Sequence, residues 1–219
     1  MAASRGADGK LWCELLSSDR YRDPDELRIN ATSHHFSVQS FFPCICFFLQ
    51  QTFLYDSSFW SNKTSYNLPG GQTGFDTQET KLPTYWNTSF NKICLGMKIS
   101  AAQYPNFVVI NKRADSLYSL IADGQYRSVT LGLTEWKKLI GPQASLQTGC
   151  LMEGFNVQCS YTSWSKARIG IVRNDQAGCD SCDSRLGFGT GGLHDTSNSC
   201  GNGAWASDGI KAMGYILVQ

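Results

Sequence analysis

Gly170-Ile-Val-Arg-Asn-Asp-Gln-Ala-Gly-Cys-Asp-Ser-Cys-Asp-Ser-Arg-Leu-Gly-Phe-Gly-Thr-Gly-Gly192, continued by Leu193-His-Asp-Thr-Ser-Asn-Ser-Cys200, dominates the C-terminal part of the chain. From Gly170 to Gly214 the chain carries ten glycines and hardly an apolar run. A structureless segment of this length is uncommon unless it is functional or cross-linked. Cys179, Cys182 and Cys200 stand where cross-links could hold it. Residues 174–202 have too few apolar groups to offset the entropy of fixing their backbone. The expectation is a loop ordered by disulfides or by an ion.

Strand signals flank this stretch. Ile93 to Ile99 alternates, Phe107-Val-Val-Ile110 is a short apolar run, and Tyr126 to Leu131 sets Tyr126, Val129 and Leu131 among polar residues. Ile169-Gly-Ile-Val172 and Tyr215-Ile-Leu-Val218 are the clearest. Phe41 to Tyr55 reads as a buried strand, and Leu117 to Ile121 fits helix or strand. A helix is expected from an N-cap at Thr134 through Trp136, Leu139 and Ile140, stopped by Gly141-Pro142. Residues 61–91 are turn-rich with interleaved aromatics and should pack by rings, not by strand ladders.

The 219 residues suit one domain, 41–219, behind a poorly ordered extension, 1–40. The net charge is +1, so no field of one sign favours nucleic acid as a partner. No apolar run is long enough to span a bilayer. Nine cysteines and the sequons at Asn30, Asn62 and Asn87 point to a secreted, disulfide-bonded glycoprotein. Met1 to Arg28 shows no signal peptide, so the expectation is an incomplete or misassigned start. The odd ninth cysteine leaves open a free thiol, a bridge to another chain in an oligomer, or that faulty start. Cys94, Cys150, Cys159, Cys179, Cys182 and Cys200 are the candidates for three bridges. Cys150 and Cys159, flanking a short segment with Gly154, are expected to pair with each other.

Several segments, in order, carry a resemblance. They are Trp86-Asn-Thr-Ser-Phe-Asn-Lys-Ile-Cys-Leu-Gly-Met97, Ser116-Leu-Tyr-Ser-Leu-Ile-Ala-Asp-Gly124, Ala167-Arg-Ile-Gly-Ile171, Asp183-Ser-Arg-Leu-Gly-Phe-Gly-Thr-Gly-Gly192, Cys200-Gly-Asn202 and Met213-Gly-Tyr-Ile-Leu-Val-Gln219. Over residues 53–219 the chain resembles the fibrinogen-like domains of intelectin-type lectins and related short secreted invertebrate proteins. The resemblance implies an α+β, loop-rich, disulfide-stabilised fold with short strands and few short helices. It implies calcium-assisted recognition of carbohydrate or another extracellular ligand. The candidate calcium ligands are Asp183, His194 and Asp195, and the candidate ligand-binding residues are Trp205 and His194. Where the family has a Gly-Gly-Trp-Thr strand, this chain reads Phe42-Pro-Cys-Ile-Cys-Phe47. The paired-aspartate calcium loop of fibrinogen is unmatched, its nearest counterpart being residues 174–183.

Each candidate has a plainer reading. The aspartates suit solvated Asx-turns as well as a calcium shell. Trp205 suits a residue packed beneath a loop. Cys179-x-x-Cys182 is half a zinc site or a redox pair, but structural bridges to other cysteines fit the secretory signs better. No nucleophile elbow, His-Glu-x-x-His or phosphate loop is present, and the protein is expected not to be an enzyme. A degenerate hydrolase built on His194, Asp195 and Ser197 or Ser199 is the weakest reading. The second function is a structural matrix or mucus glycoprotein without a small-ligand site.

Overall fold

The computed structural model describes residues 52–72, 77–100, 102, 105–192, 199–205 and 207–219. The architecture is largely β and not an α+β fibrinogen-like domain. Eight antiparallel strands form a single curled sheet in the order β2-β1-β8-β7-β6-β5-β4-β3. The strands are β1 (Phe90–Ile99), β2 (Asn106–Ala114), β3 (Arg127–Ser128), β4 (Leu151–Gln158), β5 (Lys166–Arg173), β6 (Ser184–Gly191), β7 (Cys200–Ala204) and β8 (Ser207–Val218). Among the described residues, three short α-helices accompany them: α1 (Thr84–Asn87), α2 (Leu117–Ile121) and α3 (Leu133–Lys137). β3 to β8 form a meander in chain order. β8 then pairs through residues 212–218 with β1, while its earlier half pairs with β7.

The glycine-rich stretch is the main correction. Its residues 184–191 and 200–204 are buried strands, as is much of β8. Their order rests on backbone pairing, whereas residues 174–183 lie between strands and carry the bridged Cys179 and Cys182. Gly154 faces Gly170, Gly170 faces Gly187, and Gly187 faces Gly201, one row across β4, β5, β6 and β7. A Cβ at these positions would lie 2.1, 2.4, 2.3 and 2.0 Å from the carbonyl oxygens of Arg127, Leu186, Ile169 and Ile210. No side chain fits there, so neighbouring backbones close on one another along the row.

The sheet folds along this row. An extended strand rises about 3.3 Å per residue. Yet the Cβ of Ala167 lies only 3.0 Å from where a Cβ of Gly170 would sit. In β4, Gly154 and Asn156 have φ of 134° and 50°, which turns that strand back on itself. Ser165 N–H donates to Cys182 O at 3.0 Å, although Lys166 pairs with Gly191 and Arg173 with Ser184.

Inside the curl, Phe155, Ile169, Ile171, Leu186, Phe188 and Ile216 meet Leu117, Ile121, Trp136 and Ile140. Leu117 to Ile121 resolves as helix, capped at Ser116, whose Oγ accepts from Ser119 N–H while Ser119 Oγ accepts from Ser116 N–H. The other helix starts differently from expectation. Gly132, not Thr134, is the N-cap, and the helix ends at Lys137. The buried carboxylate of Glu153 on β4 anchors the chain entering this helix: its Oε2 accepts from Leu131 N–H at 3.3 Å, Gly132 N–H at 2.8 Å and Trp136 Nε1–H at 2.6 Å.

Most of the expected strands are present, with β3 reduced to Arg127–Ser128. Residues 41–51 lie outside the described residues, and Phe53 to Tyr55 is turn. The turn-rich region packs by rings as expected. Phe53, Phe59, Trp60, Tyr66 and Tyr85 form a chain of contacts with centroids 5.2–6.4 Å apart. At its centre is Lys81, which no sequence reading singled out. Its buried ammonium donates to Phe59 O, Asn62 O and Asn62 Oδ1 at 2.6–2.8 Å.

Candidate functional site

The turn between β7 and β8 exposes Trp205, and the loop between β4 and β5 carries Trp164 and Tyr161. Trp205 is 56% and Tyr161 59% exposed, in a fold that buries most of its large apolar side chains. The indoles of Trp164 and Trp205 stack with centroids 6.3 Å apart and planes 25° from parallel.

One short segment positions both indoles. Asp183 O accepts from Trp205 N–H at 2.9 Å, and the preceding carbonyl, Cys182 O, accepts from Ser165 N–H at 3.0 Å. Tyr161 N–H donates to Asp180 O at 2.9 Å, and Trp164 N–H to Tyr161 O at 3.1 Å. The Cys159–Cys182 disulfide ties this segment to the end of β4. The rings are therefore carried on two turns clamped by backbone hydrogen bonds and a bridge. Beside them, the half-buried carboxylate of Asp183 accepts from Gln147 Nε2 at 3.2 Å.

The bridges differ from expectation. Cys150 pairs with Cys179 and Cys159 with Cys182, not Cys150 with Cys159. Cys94 is also disulfide-bonded. Cys200, expected in a bridge, is a buried thiol on β7. The folding of β4 brings the two bridges together, with the sulfurs of Cys150, Cys159 and Cys182 all within 4.8 Å of one another.

Of the residues singled out in the sequence, Asp183 and Trp205 are brought together. His194 and Asp195 lie outside the described residues, as do Asn30 and Ser197. Ser199 is buried, and its carbonyl accepts from Thr190 N–H at 3.0 Å. Asn87, the sequon asparagine, is exposed at the last residue of α1, just before β1. Asn62 is half-buried, with Oδ1 accepting from Thr64 N–H and Lys81 Nζ. Sequence reading missed Trp164 and Tyr161. Their position just after Cys159, six residues of Ser, Thr and aromatics before β5, was the available signal. Among the described residues, no helix is long and apolar enough to cross a membrane.

No protein-family model, no curated protein and no solved structure matches the chain, and nothing in these comparisons identifies a fibrinogen-like domain.

Proposed function

We propose that the protein is an extracellular binding module that holds a carbohydrate against the Trp164–Trp205 platform. The observation that carries this is the exposed Trp205 indole stacked on the half-buried Trp164, on a disulfide-clamped segment. Aromatic faces left in water and rimmed by polar groups mark interaction surfaces. A stacked pair gives the flat, rigid face against which the apolar C–H side of a sugar ring packs. Asp183, hydrogen-bonded to Gln147, and Tyr161, whose backbone is bonded to Asp180, supply hydrogen-bonding groups for hydroxyls. The bridges fit the oxidising environment in which such a module would work.

Calcium has a small part in this reading. The ion takes roughly six to eight oxygens, and among the described residues the platform offers the carboxylate of Asp183. Stacking therefore carries the proposal, and any calcium term is an addition to it. A glycan array probed with and without a calcium chelator tests both. Binding that persists in chelator supports stacking. Binding lost in chelator makes the ion essential. No binding to any glycan overturns the proposal and favours a matrix component.

A further inference from the structure

We infer that Cys150, Cys159, Cys179 and Cys182 form a metal site when their thiols are reduced, holding one thiophilic divalent cation, zinc, as a tetrathiolate. In the sequence these residues look like two unrelated pairs: Cys150 and Cys159 stand at opposite ends of β4, and Cys179 and Cys182 fall in the following loop. In the fold, three of the four sulfurs are buried within 4.8 Å of one another, and the fourth, on Cys179, is bonded to Cys150. Zinc bound tetrahedrally by thiolates, with Zn–S near ~2.3 Å, sets its sulfurs about 3.8 Å apart. To reach that spacing the two bonded pairs open and the sulfurs of the different pairs draw together.

The bridges are not what brings these residues together. Cys150 N–H donates to Gln176 O at 2.8 Å and Cys150 O accepts from Asn174 N–H at 3.4 Å. Cys179 O accepts from Ser160 N–H at 3.1 Å, and Cys182 O from Ser165 N–H at 3.0 Å. These backbone bonds hold residues 174–182 across both ends of β4, and the glycine row holds β4 in its folded shape. Opening the disulfides leaves both in place, so the four thiols stay convergent. Val157 and Val172 pack against the sulfurs and shield the cluster from water.

The chemistry balances without an oxidant. Four thiols and one zinc ion give a complex of charge −2 and four released protons, and no electrons move. The newly made chain carries these thiols before any bridge forms, so the site precedes the disulfides. A sulfur in a disulfide has no thiolate to give, so bridges and metal exclude one another.

The test uses the full chain, reduced with a phosphine under anaerobic conditions and titrated with cobalt(II). The expected result is the visible absorption of tetrahedral cobalt and a thiolate-to-cobalt charge-transfer band, saturating at one ion per chain and bleached by one equivalent of zinc. A chain with Cys13, Cys44, Cys46, Cys94 and Cys200 all changed to Ser should give the same bands. The Cys159→Ser/Cys182→Ser variant should lose them, and the oxidised protein should show none. The inference is overturned if the reduced full chain gives no tetrahedral spectrum, or if the Cys159→Ser/Cys182→Ser variant keeps it.

Discussion

The sulfurs of Cys150 and Cys159 lie within 4.8 Å of one another although the eight residues of β4 separate them. A strand of that length in extended form would hold them nearly 30 Å apart, at about 3.3 Å per residue. The glycine row accounts for the difference. It lets β4 to β7 fold over together, and that fold places the disulfides beneath the segment carrying the tryptophan pair.

The row is tested by adding one methyl group. Gly187→Ala would set a Cβ 2.3 Å from Ile169 O. Relieving that clash means separating paired strands, and we expect a loss of about 3 kcal/mol or more, the upper range for overpacking. Gly124→Ala is the control. Gly124 has φ of 72° with nothing within 4 Å of an added Cβ, so only backbone strain of ~1 kcal/mol is expected. Denaturant midpoints of the two variants should differ clearly. Equal losses would mean that close approach is not what the row provides.

Glu153 and Trp136 give a second test. Glu153→Ala leaves the buried Trp136 indole N–H and the Gly132 N–H without their acceptor. We expect a loss of roughly 2–4 kcal/mol and a change in tryptophan emission. Retention of full stability would show that water or another group satisfies these donors.

Stability should depend on pH through Lys81. Its hydrogen-bond partners include no carboxylate, and burial pulls the ammonium down to about 8 from its ordinary 10.5. Between these values the unfolded chain holds the proton that the folded chain has lost. Stability therefore rises with pH from about 8. Above about 10 the trend reverses, because burial holds the Tyr85 phenol protonated while the unfolded chain's phenol ionises. Thermal melts from pH 7 to 11 should show a maximum near 10, and Lys81→Met should remove the rising limb. A flat wild-type profile across this window would contradict the account.

The disulfides should map as Cys150–Cys179 and Cys159–Cys182 in peptides digested without reduction. Their separations of 29 and 23 residues give about 3–4 kcal/mol each on the chain-entropy model. The two loops overlap, so removing both should cost less than the sum. Removing Cys159–Cys182 should weaken ligand binding more, because that bridge holds the segment under both indoles.

Much of the β structure was legible where side chains carry it. Ile169 to Val172 and Tyr215 to Val218 show apolar runs, and Ile93 to Ile99 alternates. Ser184 to Gly191 was not legible, because a strand whose neighbours touch its backbone needs glycine, and glycine in sequence looks like loop. The row exists only through register, since Gly154, Gly170, Gly187 and Gly201 share no fixed spacing. The cysteine pairing was hidden for the same reason: distance along β4 misleads once β4 folds. Of the site, Trp205 and Asp183 were legible as candidates, while Trp164 needed the fold to become their neighbour.

On this proposal the stacked tryptophans, Trp164 and Trp205, form the carbohydrate-binding face. The direct measurement is titration of glycan-array ligands, by tryptophan fluorescence and calorimetry, against the wild type, Trp205→Ala and Trp164→Ala. Trp205 is largely exposed and its main ring contact is Trp164, so Trp205→Ala should lose no more than about 1.5 kcal/mol of stability and remain folded. The account predicts that it binds at least about tenfold more weakly, a difference of ~1.4 kcal/mol, with Trp164→Ala weakened as well. A Trp205→Ala variant that binds the same glycans with unchanged affinity would contradict it.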